Sequence, residues 1–218
     1  LFVDTYLRHN QLKAYQPEIN DIAKRKLKNS ALAFIARVDK KLANQYVLTQ
    51  IASCNNMTDY LGALNAANSG LLPCRTTVMQ AFDNKWFENG LVMDKWFVLQ
   101  ASMPSDNVLQ NIEALFSHRS FDFSNPNRLR SLVGAFAQTN SYRFHNVDGS
   151  GYAFLTDQLI KLNSKNPQVA SRLITPLIQF KSLDKVRIKL IKAQLNRLLA
   201  LPDLAVDLYE KVTKALAQ

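Results

Sequence analysis

A chain of 218 residues, 47% of them hydrophobic, can bury a sizeable core and sits near the upper size at which one core serves one domain, so a single domain over residues 1–218 is expected. No apolar run approaches the roughly 18 residues that a membrane-spanning helix needs, because Asn, Gln, Lys or Asp interrupts each one, so no membrane partner is expected. The net charge of +10 and pI near 9.7 favour acidic partners, and where that charge sits decides whether nucleic acid is one of them.

The chain opens on Leu1-Phe2-Val3-Asp4, with neither an initiator Met nor a basic stretch leading into an apolar run, and reads as a piece of a larger protein. Cys54 and Cys74 lack the Cys-x-x-Cys spacing of a zinc site and are expected as reduced, partly buried thiols. Ser69-Gly70, Asn89-Gly90 and Asp148-Gly149-Ser150-Gly151 read as connections, whereas Pro73, Pro104 and Pro202 precede amphipathic segments. Lys85-Trp86-Phe87 is echoed by Lys95-Trp96-Phe97, and these aromatic residues belong in a core.

Further along, Val108, Ile112, Leu115 and Phe116 recur at helical steps, as do Leu129, Leu132, Val133 and Phe136, and then Val169, Leu173, Ile174 and Leu177. Asn125-Pro126 and Asn166-Pro167 each place a capping side chain before a proline at the first helical position, where the missing N–H is harmless. Two helices are predicted to start there. Between Lys181 and Arg197 stand six basic residues with Asp184 as the sole acid, interleaved with Ile188, Ile191, Leu195 and Leu198. That pattern predicts an amphipathic helix with a solvated basic side rather than a nucleic-acid stripe. No run alternates as a strand does. The predicted fold is all-α, about ten or eleven short helices in a curved stack of antiparallel helical hairpins, an armadillo- or HEAT-like α-α superhelix without a strict repeat period.

Catalytic chemistry is missing. A metallopeptidase centre needs two histidines one helical turn apart, a further carboxylate ligand and a glutamate base. His9, His118 and His145 lie in separate segments, and none has a second histidine three or four residues away. Gly149-Ser150-Gly151 lacks the strand of a nucleophile elbow and the lysine of a phosphate cradle. No catalytic or metal-binding residue is therefore assigned.

Several strings carry the reading further: Asp21-Ile22-Ala23-Lys24-Arg25, Asn55-Asn56-Met57-Thr58-Asp59, Leu72-Pro73-Cys74-Arg75, and Asn89 through Phe97. Later come Ser124 through Leu132, Asp148 through Tyr152, Asn166 through Arg172 and Asp207 through Lys211. In that order they resemble the C-terminal helical domain of the bacterial aminopeptidase N family, zinc metalloaminopeptidases of the gluzincin group; residues 1 to 20 carry no comparable string. The resemblance implies a cytoplasmic parent enzyme whose zinc is held by a catalytic domain of the same parent chain, outside these residues. It implies that this domain closes over the catalytic domain, encloses the active-site chamber and contacts the downstream part of a peptide substrate.

The resemblance also implies that Arg130 and Arg172 line the cleft. Each follows a predicted helix start, the end that favours an anionic ligand. Gln168, four residues before Arg172, shares its helix face, so substrate binding is expected at Arg130, Gln168 and Arg172. A peptide carboxylate is the matching anion. The competing possibilities are that each arginine pairs with a carboxylate on a neighbouring helix, and that the chain is a helical scaffold binding nucleic acid or an acidic protein through its basic face. Arg128, rotated well away from Arg130 on a helix, is expected to be structural.

Overall fold

Apolar residues at three- and four-residue steps form helices throughout, as seen in a computed structural model that describes residues 1–11 and 13–217. Among the described residues there is no strand. The chain forms two compact units, Leu1–Asn89 and Gly90–Gln218.

The first unit holds α1 (Phe2–His9), α2 (Ile19–Val38), α3 (Lys40–Ser53), α4 (Met57–Ser69) and α5 (Arg75–Trp86). Helix α2 packs against α1, α3 and α4, burying Tyr6, Leu32, Ile35, Val47 and Leu64. Asp39 alone separates α2 from α3, and its carboxylate accepts from the Leu42 N–H at 3.0 Å, so one residue ends one helix and caps the next. Asn56 caps α4 in the same way, accepting from the Asp59 N–H at 2.9 Å. Cys54 and Cys74 are free thiols, the first half-buried and the second buried, and burial pushes both above the usual thiol range.

The second unit begins with α6 (Gly90–Ala101) and α7 (Val108–Leu115). One continuous helix follows, made of α8 (Pro126–Leu129), a π-helical turn (Arg130–Gly134) and α9 (Ala135–Thr139). Then come α10 (Ser141–Phe144), α11 (Ser150–Asn163), α12 (Pro167–Leu173), α13 (Thr175–Ile178), α14 (Lys185–Leu199) and α15 (Val206–Leu216). Fifteen α-helical segments thus appear among the described residues, more than the ten or eleven expected. The excess is physical: α8 and α9 are two parts of one continuous helix, and α10 and α13 are single four-residue turns, too short for periodicity to reveal.

Phe136 stands at the centre of this unit, with its ring edge-on to Phe144 at 5.9 Å and to Phe154 at 5.4 Å, all three buried. Trp96 is buried against Phe97, and Trp86 in the first unit is half-buried, as expected of core aromatics. Helix α14 buries Ile191, Leu195 and Leu198 and exposes Lys185 and Lys189, the amphipathic arrangement read from its sequence. Among the described residues, no helix is long and apolar enough to cross a membrane.

Candidate functional site

The two Asn-Pro helix starts position the site. Asn125 accepts from the Asn127 N–H at 2.9 Å and Asn166 from the Val169 N–H at 3.2 Å, with Pro126 and Pro167 at the first helical positions. Helix α12 lies against the π turn, and Gly134 allows the close approach: a Cβ there would sit 3.1 Å from Leu173 Cδ2. Between the two helix starts lies a cavity of about 150 Å³, lined by Pro126, Arg130, Asn166, Gln168, Val169 and Arg172. The structure therefore brings Arg130, Gln168 and Arg172 to one surface, and all three are exposed.

Arg130 opens the π turn, and its Nε donates to the Pro126 carbonyl at 3.1 Å, which steadies the guanidinium along its own helix. The Ala135 N–H reaches back five residues to the Arg130 carbonyl, the defining step of a π turn and one that recurs at functional sites. Gln168 and Arg172 share a face of α12, as their spacing requires. One expectation needs correction. Helix α12 is only seven residues long, so Arg172 sits in its last turn and the N-terminal dipole does not support it directly. Its long side chain instead leans back toward the start of α12, as helical side chains do, and so lines the cavity beside Asn166.

Neither Arg130 nor Arg172 is ion-paired among the described residues, in contrast to other arginines of this unit. Arg128 is buried, ion-paired with Asp94, and donates through Nε to the Ser120 carbonyl at 3.0 Å. The same Asp94 accepts from Ser131 Oγ at 2.8 Å. Gly90 leaves room for this arrangement, since a Cβ there would stand 2.6 Å from an Arg128 Nη. Arg128 is thus structural, as its rotation from Arg130 suggested. On its other side Arg130 borders an open groove of about 650 Å³ shared with Leu91, Lys95, Val98 and Asn127, which sequence reasoning missed. In the sequence Lys95 stands only within the repeated Lys-Trp-Phe string and the string from Asn89 to Phe97, with no site role.

Two of the three histidines, His118 and His145, are engaged, each separately. The His118 ring lies 5.1 Å from that of Trp96. His145 shares a 2.9 Å hydrogen bond between its Nδ1 and the Tyr152 hydroxyl, and burial, with Arg187 nearby, lowers its pKa below 6.5. Among the described residues no group of three or more His, Cys, Asp or Glu could hold a metal ion. Part of the basic stretch is also committed locally, with Arg187 paired to Asp184 at 2.5 Å and Arg197 to Asp157 at 2.7 Å.

Residues 1–217 match the family described as "Domain of unknown function (DUF3458_C) ARM repeats". Among curated proteins, aminopeptidase N of Escherichia coli (strain K12) is 54% identical over 208 residues, which is 95% of this chain and 24% of that protein. Aminopeptidase N of Haemophilus influenzae is 51% identical over 216 residues, 98% of this chain and 25% of that protein. The chain therefore spans about a quarter of the length of these relatives. Among solved structures, Legionella pneumophila aminopeptidase A in complex with aspartic acid superposes with a TM-score of 0.87 at 23% identity, covering 99% of this chain and 26% of that one, a likeness of fold.

Proposed function

The chain belongs to the DUF3458_C family of ARM-repeat domains, matching bacterial aminopeptidase N as its C-terminal helical domain, and on that premise we propose that it is the substrate-enclosing cap of a zinc aminopeptidase. The cap closes over a catalytic domain of the same parent chain, admits peptides and excludes folded proteins. It contributes no bond-breaking group. The zinc expected of such an enzyme is assigned to residues outside this chain, because the three histidines here lie in separate segments and His118 and His145 are engaged with other groups. A cytoplasmic setting is part of the same proposal.

One observation carries the reading: two guanidiniums without carboxylate partners among the described residues, and a neutral amide donor, line one cavity. An exposed cationic pair of this kind suits the carboxylate or carbonyl oxygens of a peptide's downstream part. Arg172 and Arg130 hold that part, away from the bond to be cut. Gln168 adds a donor that carries no charge, so it orients without strengthening the field.

The test uses the full-length parent enzyme. Arg172→Ala should lower kcat/KM for a tripeptide by about tenfold to a hundredfold, equivalent to losing one charge-assisted hydrogen bond of about 1.5–3 kcal/mol. A single-residue chromogenic amide, which has nothing downstream to hold, should be turned over almost unchanged. Equal loss on both substrates would replace the recognition role with a structural one. Arg130→Ala should behave similarly, and the double variant should be less than additive where both arginines meet one carboxylate.

A further inference from the structure

The first unit carries a cavity of its own. It measures about 230 Å³ and is lined by the end of α1 (Arg8, His9), the segment after it (Lys13, Tyr15), one face of α2 (Asp21, Lys24, Arg25, Lys28) and the start of α4 (Asn55, Asn56, Asp59). Among the described lining residues are five Lys or Arg side chains and two carboxylates.

Both carboxylates are already satisfied. Asp59 accepts from Lys28 at 2.9 Å, from Asn29 at 3.0 Å and from Asn56 at 3.1 Å. Asp21 accepts from Lys13 at 2.5 Å, with Lys24 at 4.0 Å. Both acids are buried, so their charge is spent on the wall of the cavity rather than offered to its interior. Arg8 has no ion-pair partner among the described residues. Arg25 donates through one Nη to the Gln16 carbonyl at 3.1 Å and lies over the Tyr15 ring at 4.8 Å, but its Nε is buried with no acceptor. A buried guanidinium N–H without an acceptor is costly, so the protein leaves the hydrogen-bonding capacity of Arg25 incompletely filled. The wall is held in place from both sides, since Asn55 donates to the Lys13 carbonyl at 2.9 Å while Arg25 holds Gln16.

We infer that this cavity is a binding site for a compact oxyanion bearing two or more negative charges, with Arg8, Lys24 and Arg25 as its cationic partners. Its volume is below the roughly 300–1,000 Å³ of pockets that take drug-sized ligands, which limits the occupant to a small phosphate or carboxylate compound. Guanidinium forks accept either class, so the geometry fixes the charge and size of the ligand and leaves its acid group to experiment.

Isothermal titration calorimetry of the 218-residue chain with inorganic pyrophosphate and, separately, citrate tests this. One saturable site per chain is expected for at least one of the two, weakening as salt is raised, and the tighter binder identifies the acid group. Arg25→Gln should weaken that binding by about tenfold or more. Because Arg25 also steadies the neighbouring segment, Arg8→Gln provides an independent variant without that structural burden and should weaken binding in the same direction. Lys189→Gln, which removes an exposed charge on α14 in the other unit, should leave it unchanged. The inference is overturned by the absence of a saturable site for both anions, by Arg8→Gln and Arg25→Gln binding as well as the parent sequence, or by equal weakening in Lys189→Gln, which would mean general charge attraction.

Discussion

Replacing Asp59 by Ala should destabilise the first unit more than any surface substitution, and the reason is a buried cation. Lys28 is 5% exposed and Asp59 6%, at a separation of 2.9 Å. Without the carboxylate, the ammonium keeps only the Asn10 side-chain oxygen, at 3.5 Å. Asn29 Nδ2 loses its 3.0 Å acceptor and keeps only the Thr58 carbonyl at 3.4 Å. An uncompensated charge at such a site costs about 3–5 kcal/mol, against about 0–1 for an exposed pair. For a domain of this size that is a fall in Tm of roughly 6–20 °C. Urea unfolding followed by far-ultraviolet circular dichroism measures it, with Lys28→Met as the reciprocal variant. The double variant Lys28→Met/Asp59→Ala should recover much of the sum, because no unpaired charge remains, giving a coupling of several kcal/mol. A loss below about 1 kcal/mol for Asp59→Ala would refute the reasoning, because it would mean that water reaches Lys28 as freely as a surface lysine.

Three further outcomes are expected. Because the pKa of His145 is lowered in the fold, the unfolded chain takes up a proton first as pH falls through 6.5, so stability should drop from pH 7 to pH 5; His145→Asn should flatten that slope in Tm measurements while lowering stability at pH 7.5 through loss of the Tyr152 bond. Gly151→Ala should destabilise by about 1–3 kcal/mol or more in thermal unfolding, because the new Cβ would lie 2.4 Å from the Phe144 carbonyl oxygen, a backbone atom with little freedom to move, and the gain in helix propensity is smaller. Asn166→Ala should remove the α12 cap and cost about 1 kcal/mol by urea unfolding, whereas Asn166→Ser should restore most of it.

What the sequence made legible is local. The Asn-Pro starts of α8 and α12 depend on a side chain bonding two or three residues ahead, and both stand as read. Gln168 and Arg172 share a face because four residues are about one helical turn. The amphipathic division of α14 follows from the same period. The unit-one cavity was not legible, since it joins residues from position 8 to position 59 that no short pattern links. Lys28 resembles any other lysine on a charged helix, and its burial depends on where α1 and α4 pack against α2. Single-turn helices were missed because four residues show no period at all.

The π turn was also invisible, and it matters most for the candidate site. Apolar spacing at Leu129, Leu132, Val133 and Phe136 describes an ordinary helix and contains no mark of a five-residue backbone step. Arg128, just before the turn, is buried against Asp94, while Arg130, its first residue, lines the cavity beside α12, a separation that two residues on any helix already give. Gly134 closes the same turn and permits contact with Leu173, so the backbone irregularity and the close helix approach occur together. A guanidinium pair can share a small anion only when the two helices come within side-chain reach of one another. The candidate surface thus has the π turn, Gly134 and the close approach to α12 beside its two arginines.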